Sequence, residues 1–283
     1  MWKSPLDKLR TRKGFRYIYK ERSMKGKVKI YKATRIEKGK RGEISERVVE
    51  EAVLRIFLNE QEIVFLSCTP CDQNFLAVGF LISEGFLKNK EAIKSIDSSE
   101  DRVTIYTDSS YKIPKDSQLR GIHTSGCGKG RSFTNWEEIE SLEDVLIDLN
   151  FSLSSEEVLE AMSQFEKRSE LFRKTAGVHS AALADKSGII LFNEDIGRHN
   201  AVDKVMGESF LKGIELKDKF LVISGRVSSD IVYKLWNCGL SMVVSRTAPT
   251  SLAVNMAQKL GITLVGFARG KRMNIYSFPM RIK

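Results

Sequence analysis

Cysteine is scarce in this chain, with four residues at positions 68, 71, 127 and 238 of 283. That is too few for a disulfide scaffold at this length. Long apolar runs are missing too, none approaching the roughly 20 residues that span a bilayer. The opening Met1-Trp2-Lys3-Ser4-Pro5 leads into charged residues and lacks the apolar core of a secretory signal. A cytosolic, thiol-using protein is the expectation, with no membrane partner. Cys68-Thr69-Pro70-Cys71 has the CxxC spacing of redox sites and of half a zinc site. No second CxxC and no His-x-x-x-His completes a metal cage, so no metal site of its own is expected. Cys238, in Leu235-Trp236-Asn237-Cys238-Gly239, reads as packing near a helix end. RNA-recognition, homeodomain and zinc-finger patterns are absent as well.

What is present is an ordinary globular composition, 42% hydrophobic and 9% aromatic, long enough for two domains or subdomains. The net charge of +10 is concentrated at one end. Residues 1–49 hold 17 Lys and Arg against 5 Asp and Glu, a balance of +12, and the rest hold 29 against 31, a balance of −2. Such an arm could meet nucleic acid or an acidic partner. A solvated basic tail or edge strand is the plainer reading.

Alternation predicts a half-buried strand over 27–37, ended by Lys38-Gly39-Lys40-Arg41-Gly42. Segments 49–58 and 61–66 read as a hairpin around Asn59-Glu60. Thr69-Pro70-Cys71-Asp72 is a turn with a capping Asp, opening an apolar helix from 74 to 84 that Gly85 ends. Two short strands follow within 93–107. Helical spacing over 154–173 begins at the start signal Ser154-Ser155-Glu156-Glu157. Strands at 178–184, 189–193, 219–224, 241–245, 262–267 and 273–277 then interleave with helices at 199–211, 228–238 and 250–260. That alternation predicts a mostly parallel sheet covered on both faces.

The chemistry points first to Thr124-Ser125-Gly126-Cys127-Gly128-Lys129-Gly130. Alternate glycines favour a mobile loop, and Lys129 could favour the Cys127 thiolate; a buried core cysteine is the bland alternative. The segment is no Walker loop, because Cys127 stands where lysine is required. Ligands on such sheets bind beyond the C-terminal ends of the strands. Four segments fall there: Glu194-Asp195-Ile196-Gly197-Arg198-His199-Asn200, Ser224-Gly225-Arg226, Thr247-Ala248-Pro249-Thr250-Ser251 and Phe267-Ala268-Arg269-Gly270-Lys271-Arg272. For 194–200 helix caps and a surface ion pair of Asp195 with Arg198 are the competing explanation, for 247–251 simple N-capping, and for 267–272 a basic surface hairpin. Three cations and an aromatic in 267–272 suit a phosphate with a stacked base. His179 reads more simply as a core histidine, and His123 could assist Cys127.

Asn193-Glu194-Asp195-Ile196-Gly197-Arg198-His199-Asn200-Ala201-Val202-Asp203-Lys204-Val205 resembles a signature of the formate dehydrogenase accessory proteins, the FdhD-type sulfur carriers. Thr69-Pro70-Cys71-Asp72, Leu76 to Gly85, Gly177 to Ala182, Ile223 to Arg226, Ala248 to Ala253 and Leu264 to Phe267 look like the same family in the same order. The resemblance runs from about residue 49 to the end. It implies an α/β fold, with a cytidine-deaminase-like three-layer α/β/α domain over 136–283 and a smaller α+β domain over 49–120. Residues 1–48 are then a basic arm with the first strand, and 121–135 a mobile cysteine loop. It also implies a cytoplasmic homodimer acting as a sulfurtransferase. Cys127 would accept sulfur from a cysteine desulfurase as a persulfide. The sulfur would pass to the molybdenum (or tungsten) bis-guanine-dinucleotide cofactor before that cofactor enters formate dehydrogenase. The guanine-nucleotide segment falls on Phe267, Ala268, Arg269, Gly270, Lys271 and Arg272. Many relatives have a Cys-Gly-x-Cys-Gly loop, where this chain has one cysteine. The deaminase zinc signature is absent, so the cofactor is expected as a bound client and not as a resident metal. A cofactor chaperone without sulfur chemistry is the rival reading, and a nucleic-acid-binding arm ranks behind both.

Overall fold

The computed structural model describes residues 26–88, 92–108 and 151–283. It opens on a hairpin of β1 (Val28–Glu37) and β2 (Lys40–Val49), paired antiparallel from end to end. Lys38 and Gly39 both take positive φ, 49° and 76°, the two-residue turn whose twist suits a hairpin. The segment expected to end the first strand therefore turns it back on itself. β2 is charged and barely alternates; its partner strand, not a buried face, makes it extended.

Beyond it, β3 (Ala52–Leu58) and β4 (Gln61–Cys68) form the expected hairpin, with Asn59 at φ 54° in the turn. With β5 (Ile93–Ser98) and β6 (Arg102–Thr107) they make a four-stranded sheet ordered β4-β3-β6-β5. Helix α1 (Gln73–Ser83) packs on it. Asp72 precedes α1 at φ 53° and makes no side-chain capping bond, which corrects the expected cap. The helix is buried at every residue from Phe75 to Ser83. A helix apolar on all sides is covered on all sides, and α1 lies between this sheet and the rest of the molecule.

Helix α2 (Ser155–Arg168) starts on a full capping box between Ser154 and Glu157. The single helix expected over 154–173 breaks at Ser169, and α3 (Glu170–Thr175) follows. Glu194 causes the restart, its carboxylate accepting from the first amides of α3, Leu171 and Phe172, both at 3.0 Å.

The main sheet contains β7 (His179–Asp185), β8 (Gly188–Asp195), β9 (Phe220–Ile223), β10 (Met242–Ser245), β11 (Thr263–Arg269) and β12 (Arg272–Ile275). Their order is β12-β11-β10-β9-β7-β8. β9, β10 and β11 run parallel to one another, whereas β7 pairs antiparallel with β8 and β9, and β12 antiparallel with β11. The sheet is mixed, not mostly parallel, because two tight turns, at 186–187 and 270–271, return the chain beside itself without a crossover helix. Helices α4 (Arg198–Lys212), α5 (Ser229–Cys238) and α6 (Ser251–Lys259) cover one face, and α2 covers the other. This is an α/β fold. Among the described residues no helix is long and apolar enough to cross a membrane.

Where α1 crosses α4, two glycines let the backbones touch. A Cβ on Gly79 would lie 1.7 Å from the Asp203 carbonyl oxygen, and one on Gly207 1.9 Å from that of Phe75.

Candidate functional site at the strand-end edge

Because β9, β10 and β11 are parallel and β7 is antiparallel to β9, their adjoining loops share one edge of the sheet. Start of β7 and ends of β8, β9, β10 and β11 all meet there. His179 stands opposite Asp195 in the β7–β8 register. Ser224 and Ser180 exchange hydrogen bonds at 3.0 and 2.9 Å. The Ser245 hydroxyl donates to the Gly225 carbonyl at 2.7 Å, and the Thr250 amide to that of Val227 at 2.9 Å. The Phe267 amide donates to the Thr247 carbonyl at 3.0 Å. Loops 224–228, 245–250 and 267–271 are thus laced together in sequence. The predicted segments do converge.

Within this edge the cations gather on one side. A Cβ on Gly225 would come 3.2 Å from Arg198 Cβ and 3.4 Å from His179 Nδ1, so a glycine there lets the loop close over both residues. His199 Nε2 lies 3.3 Å from Ser228 Oγ and 3.8 Å from Asp230 Oδ2. Burial, then the charges of Arg198 and Lys234, push the His199 pKa down to about 3. His179 is lowered too, by burial and then by Arg198. Two neutral imidazoles and two guanidiniums therefore face this edge at neutral pH, a setting that favours an anion.

Phe267 sits at φ 53°, an uncommon conformation for a bulky residue and one that costs on the order of 1–3 kcal/mol. It falls within an irregularity of the β11–β12 register between Gly266 and Arg269. Ala268 is buried, while Arg269, Gly270, Lys271 and Arg272 are exposed at the hairpin tip. Cys127 and His123 lie outside the described residues. A described cavity of about 510 Å³ opens elsewhere, beside Lys167, Arg173 and Phe192.

Asp195 does not pair with Arg198, as its spacing suggested. It is fully buried and binds Lys204 at 2.6 Å. Its carboxylate also accepts from the Thr69 amide at 3.1 Å, the Gly197 amide at 2.9 Å and the Asn200 side chain at 2.8 Å. The Lys204 ammonium reaches the Thr69 carbonyl at 3.3 Å and Cys71 Sγ at 3.7 Å. Burial opposes its charge, but the ion pair and hydrogen bond to Asp195 more than offset that, and Lys204 stays above the ordinary lysine range. The turn Thr69–Asp72 is thereby fastened to the strand-end edge. Burial pushes Cys68 up to about 12 and Cys71 in the same direction, so both rest as thiols.

Sequence reasoning missed the buried lysines. Lys234 is the second, holding Asp203 at 2.9 Å and Glu84 at 2.6 Å. Their one signal is a charge inside an otherwise apolar helical stretch, Val202-Asp203-Lys204-Val205 and Val232-Tyr233-Lys234-Leu235.

Comparison with known proteins adds a second line of observation. The model of a family described as FdhD/NarQ matches residues 49–283. A Listeria innocua protein named sulfur carrier protein FdhD is 40% identical over 253 residues, covering 89% of this chain and 97% of that one. Its namesake from Bacillus subtilis is 37% identical over 251 residues, 88% of this chain and 95% of the other. The crystal structure of a candidate formate dehydrogenase accessory protein from Desulfotalea psychrophila superposes with a TM-score of 0.76 at 29% identity. That superposition covers 91% of this chain and all of the other.

Proposed function

This chain belongs to the FdhD/NarQ family, and from that premise we propose that it is a sulfur carrier serving formate dehydrogenase. Cys127 is the carrier residue. Its thiolate attacks the outer sulfur of a persulfide on a cysteine desulfurase. The donor's S–S bond breaks, the donor cysteine leaves with the electron pair, and Cys127 keeps the extra sulfur. That sulfur then passes to the molybdenum (or tungsten) bis-guanine-dinucleotide cofactor, the substrate of the second half-reaction. The nucleotide arms bind the strand-end edge, with Arg269, Lys271 and Arg272 meeting phosphate and Phe267 the base. Binding energy gathered far from the metal centre then aims that centre at the loop. A cytidine-deaminase-like ancestry of the main domain, action as a homodimer and a place in the cytoplasm belong to the same proposal.

The convergence of loops 194–200, 224–228, 245–250 and 267–271 on one cation-rich edge is what supports this reading most. Intact-mass measurement after incubation with a cysteine desulfurase and cysteine tests it. The wild-type chain should gain sulfur, and Cys127→Ala should gain none while still binding guanine nucleotide. Added sulfur on Cys127→Ala overturns the assignment. A wild-type chain that binds nucleotide but takes up no labelled sulfur is a cofactor chaperone instead.

A further inference from the structure

The hairpin β1–β2 belongs to no larger sheet among the described residues, and the family model begins only at residue 49. A lone two-stranded ribbon is marginal in water, yet this one pairs ten residues with ten. Residues facing each other across an antiparallel pair share a face, and that face alternates along each strand. One face carries Tyr31, Arg35 and Val48 with Glu46, and there Arg35 pairs with Glu46 at 3.1 Å and Lys29 with Glu50.

The other face differs. Ile30 is 71% exposed opposite Arg47, and Ile36 is 62% exposed opposite Arg41. Lys32 lies between them and Glu43 is the one acid of that face. No ion pair of Lys32, Arg41 or Arg47 occurs among the described residues. Two large aliphatic side chains, each beside a guanidinium, stand six residues apart, about 20 Å along a strand. Exposed apolar residues mixed with arginine are the composition of a protein-binding surface.

Charge decides what occupies it. The preceding segment 1–25 carries nine Lys and Arg against two Asp and Glu, so its charge does not complement this face. The same holds of a second ribbon. A nucleic-acid ribbon would exclude acids, yet Glu37, Glu43, Glu46 and Glu50 accompany eight cations over residues 26–50. We propose that the Ile30–Ile36 face of the β1–β2 ribbon docks an acidic, extended segment of a partner protein that offers apolar side chains six residues apart. The inference stands independently of the sulfur chemistry of Cys127.

Fluorescence anisotropy with the full chain tests it. The probe is a labelled Glu-rich peptide with two leucines six residues apart. Controls are the same peptide with leucines five apart, which puts them on opposite faces, a Lys-for-Glu version, poly-glutamate, and single- and double-stranded RNA. Ile30→Thr/Ile36→Thr keeps strand propensity, and Arg41→Gln/Arg47→Gln keeps side-chain length. Each double variant should weaken the first peptide at least about tenfold, the scale of a lost interface anchor, and the control ligands should bind no better than the variants do. Circular dichroism and size-exclusion light scattering on both variants establish unchanged fold and mass. Equal binding of poly-glutamate or of the five-spaced peptide, tighter RNA binding through the same residues, no binding of the first peptide, or a variant effect confined to self-association would each overturn the proposal.

Discussion

His199 carries a measurable pH dependence. An unfolded histidine titrates near 6.5, and in the folded chain this ring protonates only at about 3. Between those values the unfolded chain holds the proton and the folded chain does not. Stability is therefore full above pH 6.5 and falls as the pH drops toward 3. Urea midpoints should decrease between neutral pH and about pH 5. His199→Gln should show a smaller decrease, leaving the part due to His179, which is lowered in the same direction. An unchanged decrease in the variant would mean that the ring titrates normally. The sequence singled out His199 as part of a polar stretch between strand and helix. Its depressed pKa was not legible, because burial is its largest cause and is set only by the fold, and of the charges only Arg198 is a neighbour, Lys234 and Arg226 standing 27 or more residues away.

At the scale of elements, the crossing of α1 and α4 holds the two tightest glycine contacts among the described residues. Backbone touches backbone at Gly79 and Gly207, so neither a rotamer change nor a side-chain shift can admit a methyl group. Gly79→Ala or Gly207→Ala must push the helices apart along their whole contact. Overpacking of a core costs typically 1–3 kcal/mol and occasionally more, and here at least about 3 kcal/mol is expected, read from urea unfolding. Either alanine variant unfolding like the wild type would show that the helices separate cheaply. Strand and helix positions were mostly legible, since apolar periodicity and the Gly85 stop are local signals. β2 and the Ser169 break were not. One depends on pairing with β1, and the other on the Glu194 carboxylate, which lies 23 residues beyond the Leu171 amide it binds.

Across the whole molecule, the four-stranded sheet and the six-stranded sheet are joined by α1 packed on α4 and by two buried ion pairs. Asp195–Lys204 fastens the turn after β4 to the end of β8, and Asp203–Lys234 with Glu84 fastens the end of α1 to α4 and α5. Breaking one partner of a buried pair strands the other charge and costs about 3–5 kcal/mol. Asp195→Asn should lose stability on that order. Asp195→Asn/Lys204→Met should recover part of it, since no charge then remains buried. Denaturant titration of the single and double variants reads the difference. A double variant no better than the single would show that the hydrogen bonds to Thr69, Gly197 and Asn200, not the charge, hold the joint.

Motif and periodicity determined the family, the α/β class and the segments that carry candidate chemistry, because those are properties of neighbouring residues. Tertiary structure decided the sheet's mixed direction, the partners of Asp195 and Lys204, the glycine contact between α1 and α4, and the exposed face of the ribbon. Each depends on groups far apart in the chain, whose energies of pairing, burial and close approach exist only once folding has brought them together.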